Sequence, residues 1–585
     1  MRPLHVLSLP LLLSLWACQV PKDDTASDTA TGTETATGTD TSTATDTGGE
    51  QAVFTHTESS ITADVTWPSG IHILPTSLDI AGGTLTIAPG SIVKIPAGGR
   101  ITVGAAGGLT AQGTPDQPIT FTSATDAPAA GDWHYIEFLD GSADNDNVLE
   151  NVTVEFGGGS SWGSVWIDDG ASVKITDSTV RNSGHLGLQV QPGGALRSFT
   201  GNSLTDNARA GVSIGQGQAD LLGEGTYGPN DVRGIVVTGG AIRSTVAWED
   251  LGVPYVMETG VLDIAAETGS AQLTLTEGVE LRMAPGGRIT VGTDGGLRTR
   301  GTSVNPVVIT SSEPSPAPGD WAYIEFLAES ADSSNELEHT EVRYAGGAGY
   351  GSLWIDSGAS VAVTDSRVSD SAHYGIEVVN GGMLRDFTGN TLVDNTLAPL
   401  KIPSNAGGAI GVGTYAPNDV EGIHINASVL DDDATWLDLG VPWVTTGDLA
   451  IAASSGGSAI LTVAAGNELR IGEGDRVSVY DSGALILDGT ASNHVLVRSA
   501  KANPAAGDWL YIEFLSTADN SSRFTYADIR HGGGDQYGQT WVDDNATLVL
   551  DHVTYSDSDA GCDVYLVAGA DFTADGTSIY DVCPH

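Results

Sequence analysis

Three observations predict an all-β chain wound as a three-sided solenoid. Gly accounts for 77 of 585 residues, about twice its usual share, and Thr, Ser, Val and Ile are plentiful beside only 4 Met, which favours strands and turns over helices. A long segment recurs: GDWHYIEFL, beginning at Gly131, returns as GDWAYIEFL from Gly319 and as GDWLYIEFL from Gly507, an offset of 188 residues each time. Within a copy, short segments such as LTIAP, IVKIP, RITVG, ITFTS, YIEFL, VTVEF and SVKIT alternate inward apolar with outward polar residues, and Gly, Asn, Asp or Pro separates them. Comparable positions, for example Val152 and Val173, return after about 20–24 residues, the length of one coil of short parallel strands.

The charge balance narrows the function classes. The chain has 24 basic and 74 acidic residues, a net charge of −50 and a pI near 4.1. Such a surface repels phosphate backbones, so nucleic acid is excluded as a partner class.

From the N-terminus, residues 1–18 carry Arg2, an apolar stretch over residues 4–16, and Leu15-Trp16-Ala17-Cys18. The stretch is too short to span a bilayer, and a small residue before Cys fits cleavage followed by lipid attachment to Cys18. This segment resembles a bacterial lipoprotein precursor, which implies anchoring to a membrane. Gln19 stands where an inner-membrane retention Asp would be, so the outer membrane or cell surface is the expected address. An ordinary secretory signal with an incidental Cys is the alternative. Residues 19–50 are almost entirely Thr, Ala, Asp, Gly, Ser and Glu and are expected to form a disordered tether. Their Asp spacing lacks the Gly and terminal Glu of a calcium loop.

Of the 3 Cys, assigning Cys18 to lipid leaves Cys562 and Cys583, expected as a disulfide that staples the chain end. The repeats divide the remainder into copies at residues 51–244, 245–432 and 433–585, the last cut short. Arg100, Arg288 and Arg476 keep the 188-residue offset, as do Trp166 and Trp354, while the third Trp, Trp541, is displaced by one. At about eight coils, a copy would advance about 38 Å.

The succession LTIAPGSIVKI, GGLTAQGTPDQPITFTS and GDWHYIEF resembles the right-handed parallel β-helix domains common in secreted bacterial and archaeal proteins, and the tether is similar to those of large Gram-negative lipoproteins. The resemblance implies a right-handed parallel β-helix and leaves function open, because such solenoids serve as polysaccharide lyases, glycosidases, adhesins and spacers. A string of three β-sandwiches is the competing fold; the short strands and Gly-rich corners favour the solenoid.

In YIEF the period of two sends Ile136 and Phe138 inward and Tyr135 and Glu137 outward. Glu155 of VTVEF is expected one coil later, where Arg343 and Arg530 stand in the other copies. Glu325–Arg343 and Glu513–Arg530 ion pairs are expected, and in copy one a Glu137/Glu155 pair. Close carboxylates bind Ca²⁺ or act as acid and nucleophile of a glycosidase, so this pair is the weak metal or catalytic candidate, against a solvated face. Asp132 reads as a turn residue, being present in all three GDW segments. The Arg100 line is the candidate lyase base, against a salt bridge at a coil corner. The 12 His show no zinc spacing, and no other cofactor is indicated.

GGGSSWGS, GGAGYGS and GGGDQYGQ place Trp162, Tyr350 and Tyr537 at matched positions in Gly-rich loops. Aromatic faces stack on sugars, so these rings are the candidate carbohydrate contacts. With a whole number of coils per copy they would line one side of the rod, unless each lies down and seals its own coil. The sequence therefore leads to a lipid-anchored surface rod for binding, with polysaccharide as candidate ligand, or for structure. A carbohydrate-active enzyme and a passive spacer are the alternatives.

Overall fold

The structure, a computed structural model, describes residues 43–45 and 51–584 except 259 and 455. The lipobox with Cys18 and most of the tether lie outside the described residues. Within the stretch assigned to the tether, Thr43–Thr45 pairs antiparallel with Val53–Thr55.

The described chain is a β-solenoid of about 19 turns. Its strands are mostly three to six residues long and pair in parallel with strands one turn away. In the first part of the rod, one face holds Ile92–Ile95, Ile119–Ser123, Val152–Glu155 and Thr179–Arg181. The second holds Leu78–Ile80, Ile101–Val103, Ile136–Phe138, Gly163–Ile167 and Leu186–Val190. The third holds Gly83–Ile87, Gly107–Gln112, Val148–Glu150 and Ser172–Thr176.

Alternation explains the core. On the second face Leu78, Ile101, Ile136, Val165 and Leu188 stack in register, as do Ile80, Val103, Phe138, Ile167 and Val190, all buried. The residues between them, Asp79, Thr102, Glu137, Trp166 and Gln189, form an outward ladder. Slipping a strand by one residue would exchange the two ladders, so the core fixes the register.

Corners rest on Asn, Asp and Gly. Asp177, Asn182 and Asp206 take left-handed backbone at φ 51°, 53° and 56°, which short polar side chains tolerate. Buried Asn residues bind successive corners together: the Asn202 side chain accepts from the Ser178 N–H at 3.0 Å and donates to the Ile175 carbonyl at 2.9 Å. Asn207 does the same for Ser183 and reaches Asn230 on the next turn. Where the third face lacks a strand, the 3-10 segment Gln216–Leu221 bridges it: Gln216 donates to the Val261 carbonyl at 2.7 Å and accepts from the Asp263 N–H at 3.1 Å.

The sheets correct one expectation. From Ile136–Phe138, seven turns along its own sheet end at Val307–Ser311, and the next strand in the chain, Ile324–Phe326, belongs to a different sheet. Seven turns from Ile324–Phe326 end at Val495–Ser499, and Ile512–Phe514 again follows one face later, on a branch entered through Trp443–Ile451. The interval is thus seven turns and one face, rather than a whole number near eight. Turns are less uniform than the 20–24 residues expected: strands paired in parallel lie from 18 residues apart, at Val53 and Ile71, to 38, at Thr110 and Val148.

At the C-terminal end Cys562 and Cys583 form a disulfide with Cα atoms 5.0 Å apart. The Cys583 N–H also donates to the Val564 carbonyl, so the chain end is tied to its final turn. Among the described residues, no helix is long and apolar enough to cross a membrane.

Candidate functional site

Each GDW segment builds a platform from below. Asp132 closes its turn by accepting from Ser123 Oγ at 2.7 Å, Thr125 Oγ1 at 2.9 Å and the Ala129 N–H at 3.0 Å. Burial pushes its carboxyl up, but these hydrogen bonds win and hold it below the usual carboxylate range. Asp320 and Asp508 make the matching bonds to Ser311 and Ala317, and to Ser499 and Ala505. Trp133, Trp321 and Trp509 are wholly buried and donate to the carbonyls of Glu155, Arg343 and Arg530 at 2.8–2.9 Å. These bonds hold the chain just before Phe156, Tyr344 and His531, bulky residues in left-handed backbone at φ 63°, 63° and 68°. Strain of that kind persists where the surroundings enforce it. Gly158, Gly346 and Gly533 follow with φ near 80–90°, where a Cβ would strike the Ser183, Ser371 or Ser558 hydroxyl of the next turn.

The loop so launched delivers an aromatic ring onto the outward Trp of the next strand. Trp162 stacks on Trp166 at 4.2 Å with planes 6° apart, and Tyr350 on Trp354 at 3.9 Å and 4°. Tyr537 lies over Trp541 at 4.3 Å, tilted by 32°. Tyr135, Tyr323 and Tyr511 meet the same Trp rings edge-on at 5.3, 5.4 and 5.7 Å. Trp162 and Tyr350 keep 36% and 38% of their surface exposed, and Tyr537 is half-buried. Each ring lies over the Trp of its own coil, yet two retain an open surface.

Glu137, Glu325 and Glu513 lie in register beside these Trp residues. They point outward as expected, but Glu137 and Glu513 are only 9% and 8% exposed, because neighbouring outward side chains cover them. Burial raises the Glu137 carboxyl; the bond from Thr102 opposes this, nearby Asp168 adds to it, and the Arg100 charge also opposes it. Burial raises Glu325 in the same way, against the Arg288 charge. Arg476 Nε lies 3.7 Å from Glu513 and 3.3 Å from Asp448, and its Nη1 donates to the Tyr511 hydroxyl at 3.4 Å. The Arg line thus supplies countercharge to the Glu positions.

The Glu137/Glu155 pair is not assembled. Glu155 sits on another sheet, paired with Arg181 at 2.8 Å and accepting from Thr122 Oγ1 at 3.0 Å. Arg343 pairs with Glu341 rather than with Glu325. The chain visits three faces per turn, so VTVEF falls on a different face from YIEF instead of stacking on it. The residues proposed for Ca²⁺ or for glycosidase chemistry therefore do not converge.

Sequence reasoning missed the platform itself, although a signal was present. Trp162 and Trp166, Tyr350 and Trp354, and Tyr537 and Trp541 are all four residues apart, and in the third copy both partners are displaced together. Spacing within the pair is kept even where position is not. It also missed Asp551, His552 and Asp575, a group of three metal-ligating side chains among the described residues. There His552 Nδ1 lies 2.7 Å from Asp551, and the Tyr526 ring stacks on the imidazole at 4.4 Å. Asp575 is already engaged by Thr577 and Ser578.

The chain matches no protein-family model and no curated protein.

Proposed function

We propose that this protein is a lipid-anchored rod of the outer membrane or cell surface that binds neutral polysaccharide without altering it. The observation that carries this reading is the aromatic platform, built three times with an edge-on Tyr, a partly covered Glu and an Arg beside it. An open ring face packs against the CH face of a sugar, while a carboxylate and a guanidinium accept from and donate to its hydroxyls. The net charge of −50 disfavours acidic polymers. The lipobox at Cys18 and the polar tether support the surface address, and loss of Cys18 would release the protein from the membrane fraction.

The test is retention on beads bearing xylan, mixed-linkage β-glucan or galactomannan. Trp162→Ala is expected to weaken binding about two- to tenfold, the range for one aromatic contact, while leaving the fold intact. The stacked seat of each ring favours one rival, a passive spacer in which the rings are seals. Retention on none of the polymers, with melting lowered by many degrees in Trp162→Ala, would decide for the spacer.

A further inference from the structure

The three platforms face three different ways. Trp166 lies on the sheet that runs on into Thr340–Arg343, and Trp354 on the sheet that begins at Val261–Ile264. Trp541 lies on the branch that leaves that second sheet through Trp443–Ile451. Successive sites are separated by seven turns and one face, about 35 Å along the axis at the usual strand spacing and about a third of a revolution around it. We propose that each site holds a separate strand of neutral polysaccharide, so that one rod cross-links up to three chains instead of lying along one. This rests on the glycan-binding reading above and replaces the single aligned track.

A polymer bound at one ring runs off over its own face. To reach the next ring it would have to climb most of a copy and bend round a corner of the rod, giving up contact on the way. A linked second contact adds avidity only when the geometry lets both be made at once. The turn beyond each platform points the same way, because each site has its own neighbour. Gln189 lies beside Trp166 and accepts from the Gly163 N–H. Glu377, paired with Lys401, lies beside Trp354. Tyr565 lies edge-on to Trp541. The sites are similar grips with different edges, and an Arg close to each Glu offsets part of its charge, which suits hydroxyl-rich neutral chains.

The experiment uses the full mature protein, shown monomeric by sedimentation, and beads coated with xylan, mixed-linkage β-glucan or galactomannan. The wild type is expected to agglutinate whichever beads retain it. Variants that lose one ring should still agglutinate, and the double variant Tyr350→Ala/Tyr537→Ala, with two sites each weakened about two- to tenfold, should be retained but agglutinate only at several-fold higher protein concentration. In dilute solution, a long chain and a short oligosaccharide of the same sugar should bind within about threefold of each other per site, against the 10²–10⁴-fold gain of a single aligned track. Retention without agglutination, agglutination by the double variant equal to that of the wild type, or a ring-dependent gain above a hundredfold for long chains would overturn cross-linking and leave glycan binding standing. Retention by none of the three polymers, or retention indifferent to all three rings, would overturn the binding reading and this inference with it.

Discussion

Two tryptophans of the first copy show how one sequence pattern serves two ends. Trp133 is wholly buried, and its indole N–H is bound to the Glu155 carbonyl at 2.9 Å. Trp166, on the next turn, is half-buried on the outer side of the sheet, lies under Trp162, and its indole N–H finds no hydrogen-bond partner. Trp541 leaves its N–H unmatched as well, whereas Trp321 and Trp509 are satisfied like Trp133. The inner Trp is part of how the coil closes. The outer Trp carries more apolar area than closure of the coil requires.

The sharpest way to break this comparison is to truncate both. Trp133→Ala should cost about 3–5 kcal/mol, as for other buried aromatic residues, and should free the Phe156 corner. Trp166→Ala should cost about 1 kcal/mol or less, in the range of surface changes. Chemical denaturation measures both, and equal losses would erase the distinction. Because a solenoid is held by nearest-neighbour contacts, hydrogen exchange after Trp133→Ala should rise over the adjoining turns and leave the third copy protected.

Next in size is the C-terminal staple. The bond between Cys562 and Cys583 closes 21 residues, and its removal by Cys583→Ala should cost about 3 kcal/mol of local stability by loop-closure entropy. Exchange should quicken over residues 554–582 while the turns around Trp133 keep their protection. Unfolding of the whole rod in one step would mean that the turns are coupled far more strongly than their contacts suggest.

The inner Trp was harder to read from sequence than the coil that holds it. Alternation in segments such as ITFTS and IVKI, with Asn, Asp and Gly at corners, reveals the short parallel strands because period two is local and survives any turn length. Which strand stacks on which is not local. It depends on loop insertions such as residues 124–135 between Ile119–Ser123 and Ile136–Phe138, which lengthen a turn without leaving a mark in the strands. Strand pattern alone therefore puts Glu155 beside Glu137, although it lies on another face. The disulfide was legible because two Cys remained after Cys18. The platforms were half legible: the loop rings stood out, but their Trp partners were visible only through a spacing of four that crosses from loop to strand.

The carboxylates repeat the contrast, with Asp132 inside the turn and Glu137 on the face. Asp132 is held below its usual value of 3.8, so its ionised form stabilises the fold at neutral pH, and that contribution disappears as pH falls through the lowered value. Asp132→Asn can keep an amide oxygen where one carboxylate oxygen takes all three bonds, but it removes the charge that strengthens them, so it should cost about 1–3 kcal/mol at pH 7. The difference from wild type should shrink below pH 3.8 as the wild-type carboxyl itself becomes protonated. A loss that stays constant down to pH 2 would assign the effect to packing rather than to the charge.

Glu137 should behave with the opposite sign and the smallest effect. Its carboxyl is raised above 4.5, chiefly by burial under neighbouring side chains, so the ionised form is less favourable in the folded rod than in the unfolded chain. At pH 7 that cost is fully present, and it is relieved as pH falls through the raised value. Glu137→Gln keeps the shape and removes the charge, so it should be neutral or stabilising by less than about 1 kcal/mol at pH 7, with the gain vanishing once pH falls below 4.5. A face residue kept charged at a cost to stability is what a binding site requires, because an ionised carboxylate accepts from sugar hydroxyls more strongly than an amide does. The same substitution should therefore weaken glycan retention while the melting temperature holds or rises. If Glu137→Gln lowers both together, Glu137 belongs with Asp132 as a structural residue, and the division between inner scaffold and outer platform fails at the position where it is most finely balanced.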